Sequence, residues 1–312
     1  MNRYKVIVNP ISGRGAGERL LPRVEQLLRD CGLNYDLIQT EYRGHAIELT
    51  QEAIKSDYNI VVAMGGDGTA NEVLNGIMQA KLLGIKGVAL GILSVGSGND
   101  FAFSMGVPHD LAAGCQVLAA NHRRWIDVGR ATGGDYPQGR YFGNGVGIGF
   151  DAVVGFEALK LKHVRGFLAY IVAALKTIFL YNQAPLVRIE FADQTLLQHS
   201  LMISIMNGRR LGGGFMVAPN GIPDDGLFDL CIADQVSRLR IFGLVPKFMK
   251  GTHISHEAIH TDRIRRIVAT AVEGTLPAHA DGETLCTTGE QLTIELLPRQ
   301  IEILCRMPQT EN

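Results

Sequence analysis

The chain has 312 residues, more than one ordinary domain uses and right for two of about 150 each. Hydrophobic residues make up 46% and charged residues 20%, the balance of a soluble globular protein able to bury real cores. A formal net charge of −1 excludes a strongly basic nucleic-acid surface. Five scattered cysteines without a Cys-x-x-Cys suggest neither a disulfide frame nor a zinc site, which favours a reducing cytosol.

The opening "MNRYKVIVNP" is too short and too soon interrupted to read as a signal peptide. Tyr4 to Val8 reads as a buried strand. "AGERLLPRVEQLLRDCG" reads as a helix that ends near Gly32, where glycine can take the left-handed cap. "NYDLIQT", "NIVVAMG" and "VALGILS" read as further strands, and "HAIELTQEAIKS" and "TANEVLNGIMQA" as the helices between them. Alternation with short connections predicts a parallel sheet covered by helices over residues 1–127.

Beyond Trp125, expected in the core or at a hinge, the texture changes. "LVRIEFAD", "LLQHSLMISIMNG", "LFDLCIAD", "IRRIVATAVEG", "LTIELLP" and "QIEILCR" are strand-like, several with period-two alternation. They predict an antiparallel β domain over 128–306, followed by a loose tail at 307–312. Two helices interrupt it. Gly166 to Asn182 is the greasiest stretch, but Lys176 breaks it and it is shorter than the roughly 20 residues of a membrane span. It is expected to be mainly buried. "SRLRIFGLVPKFMKGTH" from Ser237 is the second. The basic run from Lys160 to Gly166 suits either a solvated helix start or contact with anionic lipid heads.

Gly65-Gly66-Asp67-Gly68-Thr69 stands where the third strand meets its helix. In parallel sheets ligands bind at the carboxyl ends of strands. Glycines let backbone N–H groups approach an anion, and the helix offers its positive end. Thr69 with Glu72 fits a capping box that would start the helix. Phosphate is the natural guest, and Asp67 beside it suggests Mg²⁺. "NPISGRGAG" after the first strand and "SVGSGNDFA" after the fourth repeat the pattern. The first is neither a Walker loop nor a dinucleotide fingerprint. Together the three turns should converge along one edge. His253, His256 and His260 follow a helix without metal-ligand geometry.

"NPISGRG", "GGDGTANEV" and "GSGNDFA", followed by "GNGVGIGFDA", "MNGRRLGGGFMVAPNGIPDDGLFDL" and "HADGETL", resemble the diacylglycerol kinase catalytic domain and the bacterial lipid kinases of the diacylglycerol–sphingosine–ceramide kinase superfamily. The resemblance covers nearly the whole chain. It implies an α/β nucleotide domain and a C-terminal antiparallel β-sandwich domain, with the active site in the cleft between them. It implies transfer of the γ-phosphoryl group of ATP, with Mg²⁺, to a lipid hydroxyl, that of diacylglycerol first, with sphingoid bases, undecaprenol-like alcohols and phosphatidylglycerol as the other acceptors. By carry-over, Asn9, Pro10, Ile11, Ser12, Gly13, Thr40, Gly65, Gly66, Asp67, Gly68, Thr69, Ala70, Asn71 and Ser97 would line the ATP site. Asp67 and Asp100 would organise the catalytic Mg²⁺, and Glu283 would be the general base. Asp225, with backbone carbonyls of Ile222 and Leu227, would hold a structural Mg²⁺.

If the segment around Glu283 is extended, Asp281 shares its face and rivals it as base or metal contact. Asp151 in "GFDA" is either a capping residue or a helper of the acceptor hydroxyl. The resemblance places the protein in the cytoplasm and peripheral to a membrane, with a lipid substrate and no nucleic acid. Relatives often form homodimers; this chain's oligomeric state stays open. NAD kinase, which shares Gly-Gly-Asp-Gly-Thr, and a catalytically silent lipid-binding protein of the same fold are the alternatives.

Overall fold

Apolar runs and the turns between them set the first part of the fold, β1 (Tyr4–Val8), α1 (Ser12–Asp30), β2 (Tyr35–Gln39), α2 (His45–Lys55), β3 (Ile60–Gly65), α3 (Asp67–Leu82), β4 (Ala89–Ser94), α4 (Asp100–Ser104) and α5 (Leu111–Ala120). The structure, a computed structural model, describes residues 2–161, 164, 166–180 and 184–307. The expected tail from 308 onward, Lys162, His163 and Arg165 of the basic run, and the 181–182 end of the greasy stretch lie outside these residues.

The chain divides into two units, one of residues up to Ile126 together with those from Arg299 onward, the other Asp127–Pro298. In the first unit β1 pairs in parallel with both β2 and β3, and β3 with β4. Every residue of β3 and β4 is buried, which is why both read as unbroken apolar runs. Val24 and Leu28 of α1 and Cys115 and Leu118 of α5 join Val6, Val8, Val62 and Met64 in one core. The register sets Val8 beside Gln39 and Met64, and Gly65 beside Ser94. The carboxyl ends of four strands therefore finish at one level. Because the chain places β2 on one side of β1 and β3 on the other, the sheet reverses direction of growth between β1 and β3.

The second unit contains the remaining elements. They are β5 (Arg123–Gly133), which begins in the first unit, β6 (Tyr136–Phe142), β7 (Gly145–Gly149), α6 (Phe150–Lys160), α7 (Gly166–Leu180), β8 (Leu186–Phe191), β9 (Gln194–Met206), β10 (Phe228–Asp234), α8 (Arg238–Lys250), β11 (Ile259–Ile264), β12 (Arg266–Glu273), β13 (Leu276–Ala280), β14 (Glu283–Gly289) and β15 (Gln291–Leu304), which ends in the first unit. Antiparallel pairing runs β14-β13-β7-β9-β10-β11 on one side. The other end of the long β9 pairs with β8, then β12 and β15. Val146, Ile148, Ile203 and Ile205 of the first set pack with Val187, Ile189, Ile267 and Leu292 of the second. This is a β-sandwich core. The outer face of the first set carries a second core, where Met202, Met206 and Cys231 meet Val154 of α6, Ala173 and Ile178 of α7 and Leu244 of α8.

Several expectations need correction. "LTIELLP" and "QIEILCR" form one strand, β15, that changes partner: its start pairs antiparallel with β12 and its end pairs parallel with β4 through Glu302 and Ile303. Arg299, at φ 50°, marks the change. Residues 299–307 thus belong with the first unit, although the sequence suggested a second domain running unbroken to 306. Trp125 is 42% exposed, hence not core, and stands next to the division between the units at Ile126, where a hinge residue was the other expectation. The helix from Gly166 to Leu180 packs as expected through Ala169, Ala173, Ala174, Thr177 and Ile178, all buried, but it leaves Leu168 and Phe179 about 60% exposed on its other side. Among the described residues no helix is long and apolar enough to cross a membrane.

Candidate active site

The turns after β1, β3 and β4 meet. Asn9 continues β1 by donating its amide to Met64 O at 3.0 Å, and its side-chain Nδ2 donates to Thr69 Oγ1 at 3.0 Å. Its Oδ1 accepts from the amide of Ile11 at 3.2 Å. Gly13, Arg14 and Gly15 all have positive φ. This reversal interrupts the start of α1 and leaves regular helix only beyond it. A Cβ on Gly13 would lie 2.1 Å from Val95 O, so the first and third turns touch through backbone. The second and third do the same: a Cβ on Gly96 would lie 2.3 Å from the Cα of Gly66. Thr40 extends β2 at the same level, its amide donating to Val8 O at 2.8 Å.

Asn99, in the left-handed region at φ 54°, closes the third turn. Its Oδ1 accepts from the Gly96 amide at 3.1 Å and its Nδ2 donates to Gly96 O at 2.8 Å. Asp67, the first residue of α3, accepts from the Phe101 amide at 2.9 Å. That bond ties the second turn to the start of α4, where Asp100 is buried. The site is thus a ring of glycine backbone with a helix N-terminus and two carboxylates. Ser97 is exposed on its rim, while Ala70 and Asn71 are buried.

The expected capping box is absent. Thr69 Oγ1 serves Asn9, and the Glu72 carboxylate accepts instead from the amides of Gly44 and Ala46 at 2.9 and 3.2 Å. Glu72 caps the neighbouring helix α2 in place of its own. The N-cap of α3 is Gly66, with no side-chain cap.

In the second unit Asp281 and Gly282 have φ of 49° and 82°. Ala280 pairs with Glu283 across them. Asp-Gly here makes the tight two-residue turn that such pairs favour, so the segment is not extended and Asp281 and Glu283 do not share a strand face. The Asp281 carboxylate is buried and accepts from the amides of Gly143, Asn144 and Gly145 at 2.7, 2.9 and 2.9 Å. Three amides converge on it and fix the bend before β7. Glu283, at the mouth of β14, is half-buried.

Beside this hairpin a polar row crosses three strands. Ser204 of β9 pairs with Gly147 of β7, and Gly147 with His279 of β13. Gly147 leaves room: a Cβ there would lie 2.3 Å from Asp151 Oδ2 and 2.6 Å from His279 Nε2. Ser204 Oγ donates to Asp151 Oδ2 at 2.9 Å. Desolvation pushes the Asp151 carboxyl up to about 7, against the pull of its bonds from Ser204 and the Ala152 amide. Desolvation also pushes His279 down to about 4. Its Nδ1 has no hydrogen-bond partner among the described residues. Ser204 and His279 were missed in the sequence; the alternating glycines of "GVGIG" were the available signal.

The loop of Ile222, Asp225 and Leu227 forms elsewhere in the second unit. Arg263 pairs with the Asp225 carboxylate, and the Leu227 amide donates to its Oδ1 at 3.1 Å. The three histidines do not gather. His253 is buried, bonded to Val217 O and stacked on Phe248, whereas His260 faces Asp234. Burial pushes Cys115 and Cys231 up to about 12, so neither thiol is a nucleophile.

Comparison with known proteins gives a consistent result. Residues 3–131 match the family described as the diacylglycerol kinase catalytic domain, and residues 144–305 the YegS C-terminal NAD kinase beta sandwich-like domain. The chain is similar to the diacylglycerol kinase of Bacillus subtilis (strain 168), 29% identical over 91% of this chain and 90% of that protein. It is 27% identical to that of Staphylococcus saprophyticus, over 90% and 88%. A crystal structure of a diacylglycerol kinase from Bacillus anthracis matches with a TM-score of 0.74 at 23% identity, covering 98% of this chain and 97% of that one. Yeast NADH kinase shares the fold alone, with a TM-score of 0.51 at 9% identity, over 98% and 84%.

Proposed function

Since the chain belongs to the diacylglycerol kinase family and is a lipid kinase, we propose that it transfers the γ-phosphoryl group of ATP to the free hydroxyl of diacylglycerol at the cytoplasmic surface of a membrane, giving phosphatidic acid. One observation carries the site assignment: three glycine turns from β1, β3 and β4 close on one another at the sheet's point of reversal, with Asp67 and Asp100 among them.

Phosphoryl transfer asks for position and charge neutralisation more than for covalent help. The amides of residues 66–69, that of Ser97 in the third turn, and the N-terminus of α3 hold the phosphates, while Asn9–Gly13 and Thr40 border the nucleotide. The donor set fits Mg²⁺, which takes one or two carboxylates together with phosphate oxygens. Asp67 and Asp100 would hold it, and when bound it offsets phosphate charge. Asp225, with the carbonyls of Ile222 and Leu227, would hold a second, structural Mg²⁺ in place of the half-exposed Arg263 that now pairs with its carboxylate.

Glu283 accepts the proton of the attacking hydroxyl, a role worth typically about 10²–10⁴-fold. Asp281, bound by three amides, positions the bend of residues 143–145. The polar row of Asp151, Ser204 and His279 orients the acceptor's hydroxyl end, with Asp151 poised to share a hydrogen bond with it.

The test is incubation with labelled ATP and magnesium, with diacylglycerol vesicles in one tube and NAD in another. Label in lipid is expected. Label in NAD alone overturns the acceptor, and label in neither favours a silent lipid-binding protein.

A further inference from the structure

We propose that the outward faces of α7 and α8 together form the surface by which the chain docks on an anionic lipid layer. The inference takes its purpose from the lipid-acceptor reading but stands on separate residues.

Each helix has two apolar sides. On α7, Ala169, Ala173, Ala174 and Ile178 face the core, while Leu168, Leu175 and Phe179 are 60%, 38% and 61% exposed. On α8, Ile241 and Leu244 are buried, while Leu239, Phe242 and Met249 are 84%, 37% and 37% exposed. The exposed residues recur every three, four or seven positions, so each set is one stripe along its helix. The rings of Phe179 and Phe242 lie 6.1 Å apart edge to face, which joins the two stripes into one patch. A soluble monomer seldom leaves large apolar side chains contiguous.

Charge selects the occupant. α8 carries Arg238, Arg240, Lys247 and Lys250 and no acid, and α7 carries Lys176 and no acid. Arg240 pairs with Glu257, and Lys176 shares Glu157 with Lys160. Cations still outnumber carboxylates around the patch, although the whole chain has a net charge of −1. An apolar face rimmed by Lys and Arg is the pattern of a helix lying in the headgroup layer of an anionic membrane. The same rim disfavours a second copy, since self-docking would set like charges face to face.

The test uses the full chain and sedimentation with vesicles, without ATP. The wild type should bind phosphatidylglycerol–phosphatidylcholine vesicles, more weakly as salt rises, and bind pure phosphatidylcholine poorly. Leu239→Asp with Phe242→Ser should weaken binding at least tenfold (about 1.4 kcal/mol). Its melting temperature should hold, as should its rate on a water-dispersed short-chain diacylglycerol. Lys247→Gln with Lys250→Gln should weaken binding about fivefold per lysine and flatten the salt dependence. Wild-type binding by either variant overturns the proposal, as does loss of a dimer in light scattering with vesicle binding intact. If vesicle binding follows this pattern but no lipid is phosphorylated, the docking face stands and the acceptor reading falls.

Discussion

The two units build their polar surfaces by opposite means. The first uses backbone: Gly13 lies against Val95 O and Gly66 against Gly96 so closely that no side chain fits at either contact, and the groups offered to a ligand are amides at the ends of adjacent parallel strands. The second uses side chains: Asp281, Glu283, Asp151, Ser204 and His279 are set into an antiparallel sheet that supplies only spacing. A phosphate chain, repeated in every nucleotide, suits a fixed ring of amides. A lipid hydroxyl, which must lose a proton, needs a group able to take it. The contrast says that binding and proton transfer are separable, and substitutions can test that.

The largest expected effect is on turnover. Glu283→Ala should lower kcat by about 10²–10⁴-fold while ATP binding by calorimetry and the melting temperature stay unchanged; a wild-type rate removes Glu283 from the chemistry. Asp281→Ala should act on stability instead. It strands three buried amides and should cost about 3 kcal/mol or more in chemical denaturation. A fully active, equally stable variant would show that the bend holds without it. Gly96→Ala pushes Gly66 away and should weaken ATP binding about tenfold, or 1.4 kcal/mol, sparing the second unit.

The smallest effect is pH-linked. Asp151, raised to about 7 in the folded chain, binds its proton more tightly there than when unfolded. Ionising it therefore costs the fold, increasingly as pH rises from its ordinary range through about 7. Asp151→Asn should raise the melting temperature at pH 8, and the gain should vanish near pH 4. A gain independent of pH would mean the carboxyl is not desolvated. His279 works in the other direction. Lowered to about 4, it removes stability as pH falls from its ordinary range toward that value.

The same contrast explains what could be read in advance. The first unit was legible because each of its turns is a contiguous string: Gly65 to Thr69 contains both the end of a strand and the start of a helix. The exception was Thr69 and Glu72, whose spacing fits a box but whose side chains serve Asn9 and α2. The second unit was legible at the level of strands but not of site. Gly147, Ser204 and His279 become neighbours only through register between strands far apart in the chain. The region of β5 to β7 escaped notice because Gly129, Gly133, Gly139, Gly145, Gly147 and Gly149 dilute its β signal. The Asp-Gly pair at 281–282 does carry a turn signal, and both residues take the positive φ that such a turn needs.

The central claim is that the backbone ring of the first unit holds the nucleotide. A crystal structure of the complex with magnesium and a non-hydrolysable ATP analogue tests it most directly. The expected result is phosphate oxygens within hydrogen-bond reach of amides in Gly66–Thr69 and in the Gly96 turn. A nucleotide bound with full occupancy anywhere else on either unit would contradict it.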